Sequence, residues 1–394
     1  MKKLCVVTAT RAEYGVLRPL IRKILEEPYF ELCLVVTGTH LSEEFGYTIN
    51  EIEEDGFPIA EKVEILDKDH TMVGICRTMG AANEKFGELY ERQKPDMLIV
   101  VGDRYELLPI CSSAMIFGIP ITHISGGELT EGNIDDVVRH CITKMSYLHF
   151  PGCERYRQRI IQLGEEPERV FNYGDIGVEN LRNMVYLSKT ELEESLGISL
   201  DKPYASVTFH PVTLEKNTAE YQTKELIRAL KKYSQFNFIV TMSNADFEGE
   251  IINALFRESE KTSDHIFCFS SLGIQRYLSL VKYAQFVIGN SSSGIIEVPY
   301  FGIPTINIGD RQLGRLRAKS VIDCDAVEKN ICDSIELAMS EDFREMAKKA
   351  KSPYGDGNTS QKIVETIKKY FQEEKIELKK KFFDIEGEGI DDVF

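Results

Sequence analysis

The run Leu4-Cys5-Val6-Val7-Thr8 leads straight into Ala9-Thr10-Arg11-Ala12-Glu13-Tyr14-Gly15. Its first five residues are apolar and β-prone, and beyond them Val16, Leu17, Leu20, Ile21 and Ile24 recur at helical spacing. A buried strand that passes at once into an amphipathic helix opens a βαβ unit. Further β-rich runs at 32–37, 97–101, 119–124 and 170–173 alternate with longer helical patterns, which predicts a parallel sheet. A polar, helix-prone stretch at 179–200 ends at Asp201-Lys202-Pro203. The alternation then restarts with runs at 204–210, 236–242, 265–269, 285–289 and 303–308. The expectation is an α/β chain of two doubly wound, Rossmann-like domains facing a cleft: residues 1–173, then 174–372, then an acidic tail at 373–394. In such sheets ligands bind outside the carboxyl ends of the strands.

Length and charge narrow the function classes. At 394 residues the chain is long enough for two domains or more. The 47 Lys and Arg against 63 Asp and Glu give a net charge of −16, which disfavours nucleic acid and anionic lipid as partners. No apolar run approaches the ~18 residues that span a bilayer, and the start is not that of a secretory leader, so a cytoplasmic protein is expected. The nine cysteines form no C-x-x-C pair and the seven histidines form no zinc-spaced cluster. Neither a metal nor a cofactor is therefore expected. There is no G-x-G-x-x-G after the first strand and no G-x-x-x-x-G-K-[ST], which leaves nicotinamide enzymes and P-loop NTPases unsupported.

The polar residues worth reading follow the strands. Arg11 sits beside a helix N-terminus, where backbone N–H groups favour an anion; the lesser reading is an Arg that pairs with Glu13 or another surface acid. Residues 97–101 deliver Gly102-Asp103-Arg104-Tyr105-Glu106, in which Asp103 serves either a site or a helix cap. Ser125-Gly126-Gly127-Glu128, then Glu131, Asp135 and Asp136, follow the next strand; the two aspartates fall in a first helical turn and can serve a site or the helix dipole. In the second half His210 precedes Pro211 at a strand end, Asn244 lies in Ser243-Asn244-Ala245-Asp246, and Asn290-Ser291-Ser292-Ser293-Gly294 offers successive N–H groups and hydroxyls to a phosphate. Arg311, Arg315, Arg317 and Lys319 add local basicity aimed at an anion. A sugar nucleotide fits this set.

Taken in order, T-R-A-E-Y-G, G-D-R-Y-E, G-G-E with I-D-D and R-H, F-H-P-V-T, S-N-A-D, G-N-S-S-S-G-I-I-E-V-P, I-N-I-G-D-R-Q and Y-G-D-G-N span residues 8–358. This constellation resembles the hydrolysing UDP-N-acetylglucosamine 2-epimerases of sialic acid biosynthesis. The resemblance implies the two-domain glycosyltransferase-B fold and conversion of UDP-GlcNAc and water to ManNAc and UDP. It places Arg11, Arg104, His210, Asn244, Ser291, Ser292, Glu297 and Arg311 around the nucleotide. Asp103 and Asp135 then belong to the acid/base set at the sugar, with Glu128 or Glu131 beside them and His210 as phosphate contact or proton carrier. One departure stands out: many members carry E-G-G-E, whereas residue 125 here is Ser. Either Glu128 or Glu131 substitutes, or the sugar differs, as in relatives acting on 2,4-diacetamido-trideoxy sugar nucleotides of the legionaminic acid route. A homodimer or higher homo-oligomer is expected.

The chemistry follows from the substrate. The C2 proton is not α to a carbonyl, so a carboxylate can remove it only as UDP leaves and positive charge develops at C1. Water then adds to the resulting glycal with C2 reprotonated on the opposite face. A glycosyltransferase of the same fold and a non-catalytic sugar-nucleotide sensor are the competing readings. The first would need an acceptor, and the second would have no use for so many acids.

Overall fold

A computed structural model describes residues 1–43, 45–69, 71–129, 134–211, 218–242 and 249–385. The chain divides into two compact units, residues 1–180 with 354–394 and residues 181–353. Each is built on a six-stranded parallel sheet with helices on both faces.

In the first unit the strands are β1 (Lys2–Thr8), β2 (Phe30–Thr37), β3 (Ile59–Val63), β4 (Met97–Val101), β5 (Ile121–Ile124) and β6 (Leu148–Phe150), in spatial order β3-β2-β1-β4-β5-β6. In β1, Leu4 and Val6 join one core while Cys5 and Val7 join the core on the other face. This is the period of two that a strand imposes on its side chains. The helix Arg11–Glu26 starts on a full capping box: Thr10 accepts from the Glu13 amide, and Glu13 reaches back to the Thr10 amide. The helices Met72–Gln93 and Leu107–Ile116 supply Phe86, Leu89, Ile110 and Ala114 to the opposite core.

The second unit holds β7 (Tyr204–Thr208), β8 (Asn237–Thr241), β9 (Ile266–Phe269), β10 (Phe286–Gly289), β11 (Thr305–Ile308) and β12 (Val321–Cys324), ordered β12-β11-β10-β7-β8-β9. Read from the other edge, this is the strand order of the first unit. In both sheets the order in which strands are added therefore reverses at one point, between β1 and β4 in the first and between β7 and β10 in the second. Binding crevices of doubly wound sheets open at that point.

Two features differ from the sequence reading. Residues 170–173 do not form a strand; Val170 makes only an isolated bridge to His149, and the sheet place is taken by β6. The boundary also moves. The chain leaves the first unit after Asn180 and returns at Tyr354, so residues 354–372 do not belong with the second unit. The helix Thr359–Gln372 packs Ile363, Val364 and Ile367 into the first unit's core. Its first amides, Thr359 N (3.1 Å) and Ser360 N (2.7 Å), donate to the buried Glu179 carboxylate. Gly174 makes the return possible: with φ +92°, a Cβ there would lie 2.7 Å from the Tyr354 carbonyl oxygen. All nine cysteines are free. Among the described residues, no helix is long and apolar enough to cross a membrane.

Candidate active site

In the first unit the acids converge on a residue the sequence reading passed over. Arg139, on the helix Ile134–Met145, is 3% exposed and ion-pairs with Asp103 just after β4. The same guanidinium donates to Asp136 Oδ1 at 3.1 Å and to the Glu128 carbonyl at 2.9 Å. Asp135 starts that helix, and burial followed by the charge of Asp103 pushes its carboxyl above the usual range. Arg139 is three residues after Asp136 and four after Asp135, so helical spacing alone could have flagged it.

The turn bearing Asp103 is fixed from below. His123, buried in β5, must donate from Nε2 to the Gly102 carbonyl (2.8 Å), because a carbonyl can only accept. Its Nδ1 therefore accepts from the Thr143 hydroxyl at 3.1 Å. Burial lowers this imidazole to about 3, so it stays neutral and its tautomer does not change. Ser125, at the end of β5, adopts a left-handed φ of +62°. Gly127 follows with φ +78°, and a Cβ there would meet the Tyr156 carbonyl oxygen at 2.5 Å.

Beside these lie Arg104 and two buried acids. Arg104 Nη2 donates to Glu106 Oε1 at 2.9 Å, and its guanidinium lies 5.2 Å from the Tyr105 ring centroid. Glu106 is fully buried. Glu13 Oε2 accepts from the amides of Ala9 (2.7 Å) and Thr10 (3.0 Å). Arg11, expected at the nucleotide, pairs with Glu51 at 2.9 Å on the surface.

In the second unit Asn290 organises the strand ends. Its Oδ1 accepts from the His210 amide (2.7 Å) and its Nδ2 donates to the His210 carbonyl (2.8 Å). The Asn290 carbonyl in turn accepts from Arg311 Nη1 (3.1 Å) and Gln312 Nε2 (3.0 Å). His210 and Arg311 are thus tied to one side chain and its backbone, across the ends of β7, β10 and β11. Gly289 permits this, because at φ +140° a Cβ would lie 1.9 Å from the Thr208 carbonyl oxygen. Ser291 and Ser292 stand at the next turn, where the Ser293 amide donates to Ser291 Oγ at 3.4 Å. The helix that follows, Ser293–Ile296, is only four residues long before a 3-10 turn, Val298–Phe301. Amides and hydroxyls, rather than a long helix dipole, are what this loop offers an anion. Tyr277 donates to Ser293 Oγ at 3.0 Å, and the nearby charge of Glu297 adds to the burial that raises its phenol.

The structure therefore gathers Asp103, Arg104, Glu128 and Asp135 in one unit and His210, Ser291, Ser292, Glu297 and Arg311 in the other. Glu131 and Asn244 lie outside the described residues. Among the described residues no group of three or more His, Cys, Asp or Glu side chains is placed to hold a metal ion.

Comparison with known proteins gives the family and the fold. The family model described as UDP-N-acetylglucosamine 2-epimerase matches residues 22–368. The chain is 42% identical to the GDP/UDP-N,N'-diacetylbacillosamine 2-epimerase (hydrolyzing) of Campylobacter jejuni, covering 98% of this chain and 99% of that one. It is 40% identical to the polysialic acid biosynthesis protein P7 of Escherichia coli, covering 98% of each. The solved structure of UDP-GlcNAc 2-epimerase from Neisseria meningitidis bound to UDP-GlcNAc superposes with a TM-score of 0.76 at 18% identity, over 94% of this chain and all of that one. At that identity it speaks for the fold, the glycosyltransferase-B type.

Proposed function

Because the chain belongs to the UDP-N-acetylglucosamine 2-epimerase family, we propose that it is a hydrolysing sugar-nucleotide 2-epimerase. It takes a nucleoside-diphosphate 2-acetamido sugar and water to the free sugar inverted at C2 and the nucleoside diphosphate. The observation that carries this reading is the convergence of Asp103, Asp136 and the Glu128 loop on buried Arg139, with Asp135 beside them. Two carboxyl groups in one site are held in different environments: Asp103 against a guanidinium, Asp135 pushed toward its protonated form. That division suits one acid and one charge-balancing base. As the diphosphate departs, Asp103 steadies the positive charge at C1, and Asp135 with Glu128 manages the proton at C2. In the second unit Ser291, Ser292, His210 and Arg311 serve the diphosphate; in the first unit Arg104 offers a cation.

For the sugar, we favour a 2,4-diacetamido-2,4,6-trideoxyhexose. The support is Ser125, which removes a carboxylate and its bulk from the residue before Gly126-Gly127, together with the relationship to the Campylobacter enzyme. The second reading, UDP-GlcNAc to ManNAc for a sialic acid route, is supported by the similarity to the Escherichia coli polysialic acid protein. Side-by-side kcat/KM values for UDP-GlcNAc and the diacetamido nucleotide, with the free sugar identified by mass spectrometry, decide between them. Release of nucleoside diphosphate only when an acceptor is added would sink both and favour a glycosyltransferase.

A further inference from the structure

We propose that the C-terminal segment 375–383 is a strap that fixes the two helices on which the candidate acids depend, with Lys380 as a positioning residue for the reaction. The link to the reaction rests on the reading of Glu128, Asp135 and Arg139 given above; the strap itself does not.

An acidic tail suggests a solvated end, yet residues 375–383 lie against the first unit. The Lys375 carbonyl accepts from the Tyr147 hydroxyl (2.6 Å), which itself accepts from the Glu377 amide (3.2 Å). Lys380, its side chain 19% exposed, donates from Nζ to the carbonyls of Lys144 (3.0 Å) and Ser146 (2.6 Å) and to Glu165 Oε2 (2.7 Å). An ammonium has three protons to give, and here it meets three oxygens. The Phe383 amide donates to the Gly164 carbonyl at 3.0 Å. The Phe382 ring packs on Gly164, where a Cβ would run into it, and its centroid lies 4.5 Å from the Lys144 ammonium.

Those contacts fall on two helix ends. Lys144 and Ser146 close the helix Ile134–Met145, and Leu163 and Gly164 close the helix Glu154–Gln162. Lys144 Nζ already spans the two, donating to the Leu163 carbonyl (3.2 Å) and to Glu165 Oε1 (2.9 Å). Lys380 reaches the same carboxylate from the strap, so Glu165 ties all three segments together. These helices also hold the site. The first opens on Asp135 and Asp136 and carries Arg139, while from the second Arg159 donates to the Gly127 carbonyl, beside Glu128. Lys144 follows Asp135 by roughly 14 Å of helix. Lys380 therefore acts on the acids only through a rigid element, whose last turn, once slack, lets its first turn shift.

Hydrogen exchange of the full chain, read by mass spectrometry, tests the strap without reference to activity. Lys380→Ala should exchange faster than the wild type at 141–146 and 162–165, and the increase should extend to 126–128 and 135–139. An increase that stops at the helix ends would overturn the positioning role, and no increase at all would overturn the strap. Steady-state hydrolysis tests the consequence, with whichever nucleotide, UDP-GlcNAc or its 2,4-diacetamido counterpart, the wild type turns over. In Lys380→Ala with an unchanged near-ultraviolet circular dichroism spectrum, kcat should fall about tenfold to a hundredfold. KM should stay within about twofold. Added propylammonium should restore much of kcat, because it returns three donors to the same oxygens; tetramethylammonium, which has none, should not. Should Lys380→Ala fail to fold, Phe382→Ala loosens the strap while leaving Glu165 its ammonium, and the same two measurements apply. Unchanged kcat in a variant that exchanges faster at 135–139, or a raised KM with kcat intact, would overturn the positioning role. A wild type that hydrolyses neither nucleotide would defeat the reading of the acids, and the exchange pattern would still uphold or overturn the strap.

Discussion

Asp103 is ion-paired to Arg139, a guanidinium buried to 3% exposure that also serves Asp136 and the Glu128 carbonyl. Removing one member of a buried pair leaves the other uncompensated, at about 3 to 5 kcal/mol. Arg139→Met should therefore lower kcat at least a hundredfold and shift the denaturation midpoint by a comparable free energy. Arg139→Lys should rescue little, because a single ammonium cannot reproduce a planar fork reaching three acceptors. Wild-type turnover in Arg139→Lys would show that the fork is not what matters.

Asn290 gives the second prediction. Asn290→Ala strands the amide and carbonyl of His210, each worth about 1 to 3 kcal/mol when buried and unpaired. Thermal stability and UDP affinity should fall together. Arg311→Ala should weaken UDP binding about tenfold to a hundredfold without a comparable loss of stability. Asp103→Asn should abolish turnover and leave UDP affinity nearly intact. Calorimetric titration of UDP into the three variants checks the contrast.

These two anchors also show where the sequence was legible. The repeated passage from apolar run to helix exposed both doubly wound units, and the polar residues singled out after the strands do follow β4, β5, β7 and β10. Arg139 and Asn290 were visible only as letters in motifs. One lies inside a helix and the other is a strand-end amide, and their importance depends on which loops the sheet order brings together. The return of the helix Thr359–Gln372 to the first unit depends on burial of Ile363, Val364 and Ile367 in a core shared with the helix Arg11–Glu26, more than three hundred residues earlier. No local pattern carries that information. The motif around Arg11 likewise could not show that Glu51 lies within reach of it on the folded surface.

Ser125 holds a left-handed backbone that glycine adopts without strain. Ser125→Gly should raise stability by up to about 1 kcal/mol. Gly127→Ala should do the opposite, because its Cβ would collide with the Tyr156 carbonyl. Chemical denaturation of the two variants side by side tests the pair, and equal midpoints would contradict it.

Acid stability should depend on Glu165. This fully buried carboxylate accepts from Lys144 (2.9 Å), Lys380 (2.7 Å) and His149 (3.1 Å). Burial pushes its carboxyl up, but the bond from His149 and those from the two lysines win, holding it at about 2. A carboxylate depressed in the folded state stabilises above its unfolded value, about 4.3, and that stability is lost as pH falls toward 2. Glu165→Gln should flatten the fall in stability over this window while lowering stability at pH 7. Denaturant midpoints measured from pH 2 to 7 provide the check.

Turnover in heavy water should place one deuterium at C2 of the released sugar, because carboxyl groups at the site exchange with solvent between removal and return of the proton. Mass spectrometry with NMR of the product reads it. Fully protonated C2 would exclude elimination to a glycal.

The order in which the ribosome makes this chain meets an obstacle in its topology. Residues 181–353 leave the tunnel as one continuous unit and can close on their own sheet. The first unit is made earlier, yet it lacks Ile363, Val364 and Ile367 of its core until Thr359–Gln372 has been synthesised. That core therefore waits incomplete while the whole second unit is translated, and nascent chains halted before residue 359 are the species that chaperones should recognise.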